Sequence, residues 1–139
     1  MPIVPHDATI LVVEDNADNL FIIMDMLQED LQVRYCNGRA SGWQLFKLLR
    51  EKPELPIDLL LLDLQIPGED GYAVLERIRE TPRLAELKVV AVTANVMPQD
   101  VEKVRVAGFD GFIGKPLSRR RFPEQIRRIL AGQPVWEPR

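Results

Sequence analysis

With 139 residues, 28% of them charged, and a formal net charge of −3, the chain is expected to form one compact domain with a real core and no room for a second. The mild acidity argues against nucleic acid as a direct ligand, and no apolar run approaches the roughly 20 residues needed to span a bilayer. The opening residues lack the basic stretch and apolar core of a secretory signal, which predicts a cytoplasmic protein. The single cysteine, Cys36, cannot form an internal disulfide and reads as a small apolar strand residue.

The first apolar run, Ile10-Leu11-Val12-Val13, is too short and too apolar for a surface helix and predicts a strand buried on both faces. Leu20, Ile23, Met24 and Leu27 then recur at steps of three and four, predicting an amphipathic helix from about Ala17 to Glu29 with Asn16 or Asp15 as its cap. Gln32 to Asn37 reads as a second strand, and Trp43 to Leu49 marks a second helix that stops before Pro53. Ile57 to Leu62 is the third strand. A loop rich in proline and glycine, Gln65-Ile66-Pro67-Gly68-Glu69-Asp70-Gly71, leads from it to a helix over Tyr72 to Arg79. Lys88 to Thr93 is the fourth strand. Pro98 opens the fourth helix and Gly108 closes it. Gly111 to Gly114 forms a short fifth strand, and Ser118 caps a last helix reaching about Ala131. Five such units joined by short loops predict an α/β doubly wound parallel sheet of five strands, order 2-1-3-4-5, with five helices.

In that order the switch-point crevice lies between strands 1 and 3, whose carboxyl ends carry Asp15 and Asp63. Glu14, Thr93 and Lys115 sit at the same edge. Three carboxylates at one edge repel each other unless a cation joins them. Mg²⁺, which prefers hard oxygen ligands, suits Asp15 and Asp63 as direct ligands, Glu14 directly or through water, and the backbone carbonyl of Gln65. Asp63 can then serve as a nucleophile toward a phosphoryl donor, with Lys115 and the Thr93 hydroxyl meeting phosphoryl oxygens.

Four stretches, Ile10 to Asn16, Leu61 to Gly71, Val92-Thr93-Ala94 and Asp110 to Pro116, together resemble the receiver domain of bacterial two-component response regulators. The likeness runs from Ala8 to about Leu130. It implies a flavodoxin-like receiver fold over residues 9–131, with an N-terminal tail at 1–8 and a C-terminal tail at 132–139. It also implies that Asp63 is phosphorylated by a sensor histidine kinase, a histidine phosphotransfer protein or a small phosphodonor, with Mg²⁺ as cofactor. A switch is implied as well: Thr93 moves toward the phosphoryl group and Phe112 rotates inward, remodelling the face of helix 4, strand 5 and helix 5 for a downstream protein or a second copy of this chain. The resemblance further implies a cis peptide at Lys115-Pro116. Gln65 stands where the family often has Asn, and Glu69 where it often has Met; Gln65 together with Asn95 is expected to alter how water reaches the acyl phosphate.

A stand-alone receiver, catalysing only its own phosphorylation and dephosphorylation, is the leading expectation. The alternative is a receiver-like binding or dimerisation module that works without phosphorylation. A true phosphatase is disfavoured, because the second Asp such enzymes place two residues after the nucleophile is here Gln65. Arg119 to Arg121 and Arg127-Arg128 are expected to form a solvated face. Trp136 is either an interface anchor or packed on its own domain.

Overall fold

Alternation along three apolar strands sorts the core into two layers. In the computed structural model, which describes residues 2–139, β1 (Thr9–Val13), β3 (Leu59–Asp63) and β4 (Lys88–Thr93) occupy the centre of a parallel sheet. Leu11, Val13, Leu60, Leu62, Val89 and Ala91 face one layer, and Ile10, Val12, Leu59, Leu61, Val90 and Val92 face the other. The first layer is closed by α2 (Gly42–Glu51), α3 (Gly71–Glu80) and α4 (Pro98–Ala107). The second is closed by α1 (Ala17–Asp25) and α5 (Phe122–Leu130). Burial on both faces is what uninterrupted apolar strands require. The outer strands are β2 (Tyr35–Arg39), β5 (Gly111–Gly114) and β6 (Trp136–Glu137). No helix among the described residues is long and apolar enough to cross a membrane.

The sheet has six strands in the order β2-β1-β3-β4-β5-β6, and the expectation of five is corrected. The first five follow the predicted order. The sixth comes from the segment read as a tail: Gly132, in the left-handed region at φ 87°, turns the chain back after α5. Val135 is then fully buried, and Trp136 and Glu137 pair with Phe112 and Ile113. A two-residue strand flanked by Pro134 and Pro138 has no periodicity to read; the open edge of β5 supplies the partner.

Several boundaries also move, and β3 starts at Leu59 where Ile57 was expected. After α1 the helix widens into a π turn over Met26–Asp30, with the Leu31 N–H donating to Met26 O, and Gln32 takes a left-handed φ of 53°. This keeps Met26, Leu27 and Leu31 buried together and delays β2 to Tyr35. Ser118 caps a preceding turn, its Oγ accepting from the Arg120 and Arg121 N–H groups, while α5 begins at Phe122 with Pro123 in its first turn. Trp43, counted among the helix-marking residues, lies on the exposed side of α2. Cys36 is half-buried in β2, where burial pushes its thiol pKa up.

Candidate functional site

Strand ends that leave a parallel sheet in register deliver their next residues to one edge. The register Val13 to Leu62, Asp63 to Val92 and Thr93 to Gly114 brings Glu14, Asp63, Thr93 and Lys115 together there. Backbone bonds tie the exits: Lys115 N–H to Thr93 O at 2.9 Å, Leu64 N–H to Val92 O at 3.2 Å and Glu14 N–H to Arg39 O at 3.0 Å. The cap of α1 is Asn16, whose Oδ1 accepts from the Asn19 N–H at 2.9 Å. Asp15 is therefore not spent on capping, and it is exposed.

Glu14 and Asp63 are buried carboxylates, 2% and 3% exposed, and they share one cation. Lys115 Nζ lies 2.8 Å from Glu14 Oε1 and 3.2 Å from Asp63 Oδ2. The remaining oxygens are also engaged: Glu14 Oε2 accepts from the Asn16 N–H at 3.1 Å, and Asp63 Oδ1 accepts from the Gln65 N–H at 2.8 Å. Burial is the largest influence on Glu14 and holds its carboxyl above the usual range, with Asp63 adding to the effect against the pull of Lys115. Burial also opposes the charge on Lys115. There the Glu14 hydrogen bond and the Asp63 charge prevail, so the ammonium is held more firmly than in an ordinary lysine.

Oxygens of Glu14, Asp15 and Asp63 approach within 4.8 Å of one another. Three carboxylates and no nitrogen or sulfur donors make a set suited to a hard divalent ion. The chain of Gln65 lies beside them, so its carbonyl is close in sequence to this set, while its side chain does something the sequence did not disclose. Gln65 Oε1 accepts from the Ala94 N–H at 2.7 Å, linking the loop after β3 to the loop after β4. Thr93 is buried and its Oγ1 accepts from the Asn95 N–H at 3.1 Å. Phe112 is fully buried beneath α4. Lys115-Pro116 is cis.

By sequence Glu69 is only an unusual residue in its loop. Its carboxylate accepts twice from the Gly42 N–H, at 2.8 and 2.9 Å, fastening the loop that follows Asp63 to the start of α2. A carboxylate at a helix N-terminus is favourable on its own. No local pattern could have found this contact, since 27 positions separate the two residues.

A response regulator receiver domain matches residues 10–127. The polar-differentiation response regulator DivK of Brucella ovis is 32% identical over 126 residues, which cover 88% of this chain and 95% of DivK. The signal transduction histidine-protein kinase BarA of Escherichia coli K12 is also 32% identical, over 91% of this chain, which spans only 13% of BarA. The signal receiver domain of a DNA-binding response regulator from Colwellia psychrerythraea 34H superposes with a TM-score of 0.75. It shares 24% identity, and the match covers 89% of this chain and 98% of that one.

Proposed function

The chain belongs to the response regulator receiver domain family, and from that premise we propose that Asp63 is its phosphoryl acceptor in a two-component pathway. The observation that carries this reading is the buried Glu14–Lys115–Asp63 cluster, with Asp15 alongside. An Asp63 oxygen attacks the phosphorus of a phosphohistidine or small acyl phosphate; the new O–P bond forms as the donor's P–N or P–O bond breaks. The electron pair leaves with the donor, which takes its proton from the donor side or solvent, so no general base is required of this chain.

The Gln65 N–H orients the Asp63 carboxylate for that attack. Lys115 turns from the carboxylates toward a phosphoryl oxygen and offsets its charge. Mg²⁺ held by Glu14, Asp15, Asp63 and the Gln65 carbonyl would supply the rest of the charge neutralisation. Intact mass after incubation with acetyl phosphate tests the reading. One phosphoryl adduct is expected with Mg²⁺ and none with a chelator; no adduct under either condition, nor with a histidine phosphotransfer protein, would favour a binding module that works without phosphorylation.

Membership of the receiver family supports a sensor kinase or phosphotransfer protein upstream and a protein target downstream. Signalling runs through Thr93 and Phe112. The Thr93 hydroxyl leaves the Asn95 N–H for a phosphoryl oxygen, and this favours the arrangement in which Phe112 is enclosed, as it is here. Thr93→Val should still accept the phosphoryl group, because the nucleophile is untouched. It should lose the faster exchange of the Asn95 amide that phosphorylation brings to the parent, whose hydroxyl leaves that N–H; an equal speeding in both would remove Thr93 from the switch.

A further inference from the structure

An open edge strand offers unpaired backbone groups to any extended segment that fits it. Here β5 is that edge, and residues 133–139 are seated on it. The Phe112 N–H donates to Val135 O at 2.9 Å. Close approach of the two backbones depends on glycine at both ends of β5. A Cβ at Gly111 would come 2.8 Å from the Val135 carbonyl, and one at Gly114 would run into the Pro138 carbonyl.

The side chains of the segment meet a matched set of partners. Arg105 of α4 stacks over the Trp136 ring, 4.3 Å from its centroid. Glu137 accepts from Arg128 at 2.6 Å, Gln125 at 2.9 Å and Arg121 at 3.3 Å, all from α5 or the turn before it. The Gln125 hydrogen bond is the largest influence on the Glu137 carboxyl; burial opposes it, and the Arg128 hydrogen bond with the charges of Arg128 and Arg121 leaves the carboxyl below its usual range. The basic residues at the start and end of α5 are therefore not only a solvated face: two of them converge on one carboxylate.

We propose that the β5 edge, between Arg105 on α4 and Arg121 and Arg128 on α5, is a docking surface for an extended segment in which an aromatic residue is followed by a carboxylate, and that residues 133–139 occupy it as a displaceable strand in cis. The seated segment is the template for its partner. Its hold is local: two paired residues, the buried Val135 side chain, and ion pairs open to solvent that contribute little each. Tethering through Gly132 raises its local concentration, so a partner must compete with it. The surface lies on the helix 4, strand 5, helix 5 face, where a second copy of the chain was expected to pair, and β6 covers the strand that such a copy would meet. This inference does not depend on phosphorylation of Asp63.

The test uses the full-length Glu137→Lys variant and the synthetic peptide Gln-Pro-Val-Trp-Glu-Pro-Arg, without phosphodonor. Reversing the charge that Arg121 and Arg128 hold should speed exchange of the Phe112 amide at least tenfold. It should also open the edge to the peptide, which binds the variant at least ten times more tightly than the parent; a peptide carrying Lys in place of its Glu should not bind. The full-length Trp136→Ala variant, which loses the stacking on Arg105, provides a second acceptor and should bind the same peptide. Unchanged exchange at Phe112, or faster exchange with no peptide binding to either acceptor, would overturn the proposal.

Discussion

Asp63→Asn should carry no phosphoryl adduct under conditions that label the parent with one, a change from full occupancy to none. The amide keeps the volume of the carboxylate and can still accept from the Gln65 N–H, so the fold should be retained. It removes the anionic oxygen that must attack phosphorus, and neither neighbour can replace it. Glu14 is held by Lys115 on one oxygen and by the Asn16 N–H on the other. Asp15 is exposed, and the Lys115 ammonium pairs with Glu14 and Asp63. Intact mass beside circular dichroism checks both parts. An adduct that persists in the variant, mapped to another residue, would sink the assignment of Asp63 as acceptor.

Lys115→Met should have the second largest effect, and on two observables. The substitution keeps most of the apolar stem and removes the ammonium that two carboxylates, 2% and 3% exposed, share. Breaking a buried ion pair by deleting one partner costs about 3–5 kcal/mol when the remaining charge has no escape. Here Glu14 is already held above the usual carboxylate range by burial, so it can take up a proton and relieve part of that cost. The expected loss is about 2–3 kcal/mol at neutral pH in the presence of a chelator. Mg²⁺ should restore more stability to the variant than it adds to the parent, since in the parent the ammonium already compensates the carboxylates. Urea unfolding with and without Mg²⁺ reads the difference. Equal metal dependence in the two proteins would show that Lys115 and the ion do not offset the same charge.

The proposed phosphorylation of Asp63 would bear on contacts between loops as well as on the acceptor. The Gln65 amide oxygen on the Ala94 N–H and the Thr93 hydroxyl on the Asn95 N–H place two polar groups from the acceptor's neighbourhood on the loop that precedes α4. A phosphoryl group on Asp63 would enter among these bonds and must exchange with some of them. That is a local change of hydrogen-bond partners, and it borders a packed layer in which Phe112 lies against the helices above it. Packed cores respond to such changes by choosing between discrete arrangements.

Much of this molecule was legible in one dimension because the governing interactions repeat locally. Runs such as Leu59 to Leu62, short and bounded by turn residues, read as strands covered on both faces, and the positions of Asp63, Thr93 and Lys115 at the ends of such runs follow from chain order. Parallel pairing with right-handed crossovers then leaves few ways to arrange the strands, so the order 2-1-3-4-5 was accessible before any coordinates. Gly108 after the fourth helix, in the left-handed region at φ 101°, was equally plain from its residue type.

What the tertiary structure alone decided are contacts between residues far apart in the chain, each too short or too solitary to leave a periodic trace. β6 is a strand only because β5 presents an edge and Arg121, Gln125 and Arg128 wait for Glu137. Glu69 reaches Gly42, Gln65 reaches Ala94, and Lys115 chooses Glu14 at 2.8 Å as well as Asp63 at 3.2 Å. The sequence determined the chemistry assembled at the sheet edge, because side-chain type and strand period are local properties. Which group holds which, and which strand covers the last edge, depended on distances that exist only once the two core layers have closed.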